Sequence, residues 1–217
     1  YFDLPDNLTF IDQTGTTSDA FYNCNAIRRV TPGSATTYLL SESLHASEGW
    51  WAYRWFTFPG QEDFRYLYFT GEDGGDEAGR GLRLVKYVGD SKEIIVPIQG
   101  SGLPPLTSIH TNVFMNQTEV VRIVLPDTVT LFKANAFRNC RGLSEIYIPT
   151  NLRTMESNVF TNCAMNAYDD EIHDYPTYSF PKTRDALDYI HDNSSSSTFY
   201  DCKAHIQFLD DRDNTEY

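Results

Sequence analysis

Basic stretches are missing from this chain. Lysine and arginine number 17 against 30 acidic residues, giving a formal charge of −13 and an isoelectric point near 4.6. Duplex binding needs cations that neutralise phosphates, so the balance argues against nucleic acid as a partner. Long apolar runs are missing too. The longest, Ile94-Ile95-Val96-Pro97-Ile98, falls far short of the roughly 18 residues of a spanning helix, so no membrane span is expected. Catalytic signatures are poor. There is no Gly-x-Ser-x-Gly, no phosphate-binding Gly-rich loop and no His-Glu-x-x-His. The histidines are scattered at 45, 110, 173, 191 and 205. Cys202-Lys203-Ala204-His205 alone offers too few ligands for zinc, which wants four. No enzyme, cofactor or metal site is expected. An initiator methionine and a charged-then-apolar leader are absent before Tyr1, which points to a mature form or an excised segment.

What is there is a repeat, and repeats are the first thing to look for. Asn112-Val113-Phe114-Met115-Asn116, Asn135-Ala136-Phe137-Arg138-Asn139 and Asn158-Val159-Phe160-Thr161-Asn162 recur every 23 residues. Between them Ile123-Val124-Leu125-Pro126 and Ile146-Tyr147-Ile148-Pro149 recur at the same period of 23. Apolar residues keep the register at Val129 and Leu152, then at Phe132 and Met155. Phe-x-Asn/Asp occurs again at Phe21 and Phe199, and apolar-x-apolar-Pro at Pro5, Pro97 and Pro181. Five proline–phenylalanine pairs result, with gaps of 16, 17, 11, 11 and 18 residues. Three of the five repeats therefore carry insertions. Five stacked coils of one solenoid are expected, each obliged to bury its apolar face on a neighbour.

Every cysteine occupies one repeat position. Cys24, Cys140, Cys163 and Cys202 each lie three residues after the motif phenylalanine. An inward ladder of free thiols fits this, because a buried thiol behaves as a small hydrophobe. Disulfide pairing of Cys140 with Cys163 on adjacent coils, about 5 Å apart, is the competing reading. In each coil one short strand is expected around Ile-x-Ile, with Ile146 and Ile148 on one face and Tyr147 on the other. The accessible sheet surface then comprises Ile95, Val124, Glu145, Tyr147 and Ser179. Three glycosylation sequons, at Asn7, Asn116 and Asn193, matter only in a eukaryotic secreted protein.

Leu143-Ser-Glu-Ile146-Tyr-Ile148-Pro149, followed by Leu152, Met155, Asn158-Val-Phe160 and Cys163, resembles the BspA-like leucine-rich repeat of bacterial and protist surface proteins. Lys86-Tyr87-Val88-Gly89-Asp90 resembles the way such arrays open. Where the family's pattern has a glycine, this chain has His110, Lys133 and Glu156. The resemblance implies a β-rich leucine-rich-repeat solenoid of short parallel strands and irregular or short helical return arcs. It also implies exposure at a cell surface or outside the cell, adhesion or ligand binding, and no catalysis.

Between Cys24 and Pro97 lies a stretch far longer than a regular coil uses, and it holds all three tryptophans. The run Trp50–Phe58, the turn Pro59-Gly60-Gln61-Glu62-Asp63, the run Phe64–Phe69 and Leu82–Val88 read as an aromatic antiparallel sheet. These aromatics either pack a small core or form a platform for a sugar or protein, with Trp50, Trp51, Tyr53 and Trp55 as anchors. The acidic stretches 71–77 and 169–174 read as solvated loops, since their spacing fits no EF-hand.

The expected organisation is a first coil over 1–25, a β-rich aromatic insert over 26–85 and further coils over 86–217. The expected function is a surface recognition or adhesion module for a protein or glycan, using Trp50, Trp51, Tyr53, Trp55, Tyr147 and Glu145. The competing function is a structural decoration or scaffold subunit of a larger assembly, such as a virion or an extracellular filament.

Overall fold

The computed structural model describes residues 1–8, 27–32, 34, 55–69, 81–98, 104–181 and 198–209. The fold is a strand-rich solenoid of about five turns, with no helix among the described residues. It divides into two compact units, Tyr1–Val88 with Gln99–Leu106, and Gly89–Ile98 with Thr107–Tyr217.

In the first unit, β1 (Phe2–Asp3), β2 (Arg28–Arg29) and β3 (Phe56–Thr57) pair in parallel. Parallel stacking thus runs into the stretch where the sequence shows no repeat. The chain then reverses through Gly60, whose φ of 76° suits a residue without a Cβ. β4 (Phe64–Phe69) and β5 (Gly81–Tyr87) complete an antiparallel sheet on β3. Phe56, Phe58, Phe64, Tyr66 and Tyr87 are buried and touch ring to ring at 5.2–6.4 Å. For these five rings the core-packing reading holds. Arg28 is fully buried and donates from Nε and Nη2 to the Trp55 carbonyl at 3.1 and 2.8 Å. Its charge therefore fixes the backbone at the entry to β3.

The second unit is the regular array. β6 (Glu93–Ile95), β8 (Arg122–Val124) and β10 (Glu145–Tyr147) form one parallel sheet. A second parallel ladder joins β7 (Leu106–Ile109), β9 (Leu131–Phe132) and β11 (Thr154–Met155). The sequence reading allowed one strand per coil; the structure has two. β12 (Thr177–Pro181) and β13 (His205–Leu209) pair in parallel in the last coils. Ile94 and Ile123 are buried in the first sheet while Ile146 is half-buried.

Return arcs are runs of turns held from coil to coil. Phe114, Phe137 and Phe160 donate their amides to Ala136, Val159 and Thr198 one coil on. Their rings stack with Phe199 at centroid spacings of 5.2–5.7 Å and interplanar angles no greater than 13°. Each arc needs two left-handed residues, and asparagine supplies them at 112, 116, 135, 139, 158 and 162. Asparagine tolerates that region better than most L-residues. Where the family's pattern carries glycine, a polar pair holds the turn. Glu156 meets the Lys133 ammonium at 3.1 Å and accepts the Ala134 amide at 2.9 Å.

The cysteine ladder is present for the described thiols. Cys140 and Cys163 are buried and free, and donate to the Phe114 and Phe137 carbonyls at 3.2 and 3.0 Å. Cys202 is free but half-buried, because it lies in the last described coil, where less protein covers it. Cys24 lies outside the described residues. Burial pushes the Cys163 thiol up, and pushes that of Cys202 up to about 12. Thiolate is the reactive form, so both should resist alkylation at pH 8 in the folded chain. Denatured without reductant, the chain should titrate about four thiols, one per cysteine. Two or fewer would establish disulfides and end the ladder assignment.

Candidate functional site

The outward face of the β6-β8-β10 sheet is the surface the repeat builds most regularly. Register sets Glu93, Arg122 and Glu145 in one row and Ile95, Val124 and Tyr147 in the next. Alternation along each strand sends both rows away from the inner isoleucines. Ile95 is 61% exposed and Tyr147 43%, with Val124 half-buried between them. Large apolar groups in a row on a sheet exterior, beside charged neighbours, are what a docking surface requires.

The charged row is an ordered set. Arg122 Nε donates to Glu145 Oε1 at 2.8 Å, and Glu93 stands 3.9 Å from the guanidinium on the other side. These contacts hold the guanidinium more firmly protonated than usual, Glu145 contributing most. The pairs are solvent-exposed and therefore weak, so they orient side chains more than they stabilise the fold. Tyr147 is tied down at its tip. Its hydroxyl donates to the Asp127 carboxylate at 3.1 Å, and the amide and hydroxyl of Thr150 donate to the same oxygen at 2.9 and 3.0 Å. Partial burial, then the Asp127 hydrogen bond, raise the Tyr147 phenol above its ordinary value. Burial works against the Asp127 charge, yet the Thr150 and Tyr147 donors keep its carboxyl below the usual range. A ring held at both ends meets a partner with little rotamer freedom left to lose.

Glu145 and Tyr147 thus sit on one strand, facing outward together. Trp55 lies in the first unit, half-buried, with the Lys86 ammonium 6.0 Å from its ring centroid. Trp50, Trp51 and Tyr53 lie outside the described residues, as do the acidic stretch 71–77 and the coil motif at Phe21. Glu93, Arg122 and Asp127 belong to the face although sequence reasoning did not single them out. The signal was available for Arg122 and Asp127, which stand one period before Glu145 and Thr150. Among the described residues no group of three histidine, cysteine, aspartate or glutamate side chains could hold a metal ion. No helix among them is long and apolar enough to cross a membrane.

The sequence profile of the BspA type leucine rich repeat region matches residues 107–210 in six copies. Over those residues, just under half of the chain, the sequence is similar to that repeat family. Among curated proteins no sequence matches. Among solved structures, a leucine rich repeat protein of T. pallidum is similar at 27% identity and a TM-score of 0.39, over 46% of this chain and 44% of that one. A leucine rich cell surface protein from Faecalibacterium prausnitzii A2-165 shares 22% identity, with a TM-score of 0.44, over 70% of this chain and 35% of its own. A leucine-rich repeat protein from Bacteroides capillosus ATCC 29799 shares 16% identity at a TM-score of 0.44, over 68% of this chain and 95% of its own. The chain therefore spans less than half the length of the first two.

Proposed function

We propose that this chain is a non-catalytic, surface-exposed recognition module that docks a protein partner on the outer face of β6-β8-β10. The observation that supports this reading is the in-register row Ile95–Val124–Tyr147 beside Glu93–Arg122–Glu145. Interface cores favour tyrosine and isolated apolar anchors, ringed by groups that exclude water. Trp50, Trp51, Tyr53 and Trp55 supply a second contact region in the aromatic insert, suited to a protein or to a stacked sugar. The likeness of residues 107–210 to the BspA type repeat supports a location at the cell surface or outside the cell.

The test is an array of host proteins and glycans probed with the full chain, followed by the Tyr147→Ala and Trp55→Ala variants. Tyr147→Ala should weaken binding to the captured partner roughly tenfold or more, with the melting midpoint nearly unchanged. Unaltered binding by Tyr147→Ala would remove the sheet face from the reading. Unaltered binding by both variants, with folding intact, would favour a scaffold role in a larger assembly.

A further inference from the structure

The coil after Cys163 carries the longest insertion of the second unit that the structure describes, and that insertion is pinned. Asp169 and Asp174 exchange backbone hydrogen bonds at 2.8 and 3.3 Å, and the Tyr168 and Tyr175 rings meet edge to face at 5.2 Å. The Asp169 carboxylate caps the amides of Glu171 and Ile172, and Asp174 lies 2.7 Å from His205 Nε2 on β13. Asn166 donates its amide to the Arg141 carbonyl at 2.8 Å. Residues 169–174 are all exposed, as a solvated loop should be, and these ties give that loop a fixed shape.

The hairpin stands over an open groove of about 770 Å³ within the second unit. Ile172, 67% exposed, Tyr168, 46% exposed, and Val121 are its large apolar lining residues. Gly142 lines it as well and must remain glycine. A Cβ there would meet the Thr118 carbonyl oxygen at 2.9 Å and that of Val120 at 3.2 Å. The rim is acidic, with Asp169, Asp170 and Glu171, and no lysine or arginine among the described residues lines it. Asp169 is committed to its cap; Asp170 and Glu171 form no ion pair among the described residues.

We infer that this groove receives a cationic, extended segment of a partner protein. Alternate side chains of an extended chain point to opposite sides. Apolar ones can pack against Ile172, Tyr168 and Val121 while the cationic ones answer the rim. An open groove suits such a segment better than a small ligand, which needs enclosure on most sides. The carboxylates act in recognition and encounter rate, and a formal charge of −13 on the whole chain draws the same kind of partner in. The groove adjoins the sheet face proposed above, since Val121 and Ser144 directly precede Arg122 and Glu145, but none of the face's outward residues lines it, so either site can fail without the other.

Fluorescence polarisation of the full chain with a labelled seven-residue peptide of alternating lysine and leucine tests this. Peptides alternating glutamate with leucine, and lysine with serine, serve as controls. Only the lysine–leucine peptide should bind, and both Asp170→Asn/Glu171→Gln and Ile172→Ser should weaken it about tenfold. The control Asp6→Asn/Asp63→Asn, equal in charge change at two exposed carboxylates that do not line the groove, should leave the affinity within a factor of about two. Equal weakening by that control would show diffuse attraction to an acidic chain and overturn the groove. So would binding unaffected by Ile172→Ser, loss on Tyr147→Ala in its place, or no binding at all. The exposed variants should melt like the parent, which the same samples can verify.

Discussion

Phe137→Ala should destabilise the second unit by about 3–5 kcal/mol, the range for a large buried ring cut back to a methyl group. Phe137 is fully buried at the centre of the phenylalanine column. It stacks on Phe114 at 5.4 Å and Phe160 at 5.2 Å, and Phe132 meets it edge-on at 5.1 Å. The alanine variant loses contacts to three rings in three coils, and the rigid stack cannot collapse to refill the space. A loss of that size is a large share of the roughly 5–15 kcal/mol that holds a domain folded. Since each coil leans only on its neighbours, the break divides the array, and the unfolding transition should broaden as well as shift. Urea unfolding followed by circular dichroism measures both effects. Phe137→Leu, which keeps most of the volume, should cost clearly less. An unchanged midpoint for the alanine variant would place the ring outside the core and void the 23-residue alignment.

That alignment was legible because the residues which stack are large and repeat in phase. Phenylalanine at 114, 137 and 160 and cysteine at 140 and 163 fill one column each. A reader of the sequence meets the same spacing that the structure uses. The face of Tyr147 was legible for the same reason, since Ile146 and Ile148 define which side is inward. Less visible was the second ladder. Leu131–Phe132 and Thr154–Met155 are strands of two residues, too short for a period-two pattern to register. The parallel pairing of Arg28 with Phe2 and Phe56 was hidden by irregular spacing and by a buried arginine where an apolar residue was sought. The hairpin at 169–174 reads from composition as solvated acid. Its order comes from the Tyr168–Tyr175 contact and from His205, 31 residues beyond Asp174, a distance that no local pattern spans.

The asparagine column was visible as a motif but not as a mechanism, and it carries a directional prediction. Asn139 Nδ2 donates to Asn116 Oδ1 at 2.7 Å, and Asn162 Nδ2 donates to Asn139 Oδ1 at 2.8 Å. Each rung accepts from the coil that follows it and donates to the coil before. Asn139 also holds φ at 64°. Asn139→Ala therefore loses two hydrogen bonds of about 1 kcal/mol each and adds roughly 1–2 kcal/mol of left-handed strain. A total of about 2–4 kcal/mol is expected. Asn139→Gly removes the amide but relieves the backbone, so the difference between the two variants measures the strain alone. Aspartate separates acceptor from donor. At 116, the first rung, only an acceptor is needed within the column, and aspartate also tolerates the φ of 67° there. Asn116→Asp should be close to neutral at pH 7. At 139 the same change deletes a donor and sets a carboxylate against the Asn116 carbonyl oxygen, costing about 1–3 kcal/mol. The fourth rung fits this direction: Asp201, at φ 51°, makes no side-chain bond to Asn162 among the described residues. Thermal melts of the two aspartate variants at pH 7 decide the matter. Equal midpoints for Asn116→Asp and Asn139→Asp would mean that the column contributes nothing beyond its backbone angles.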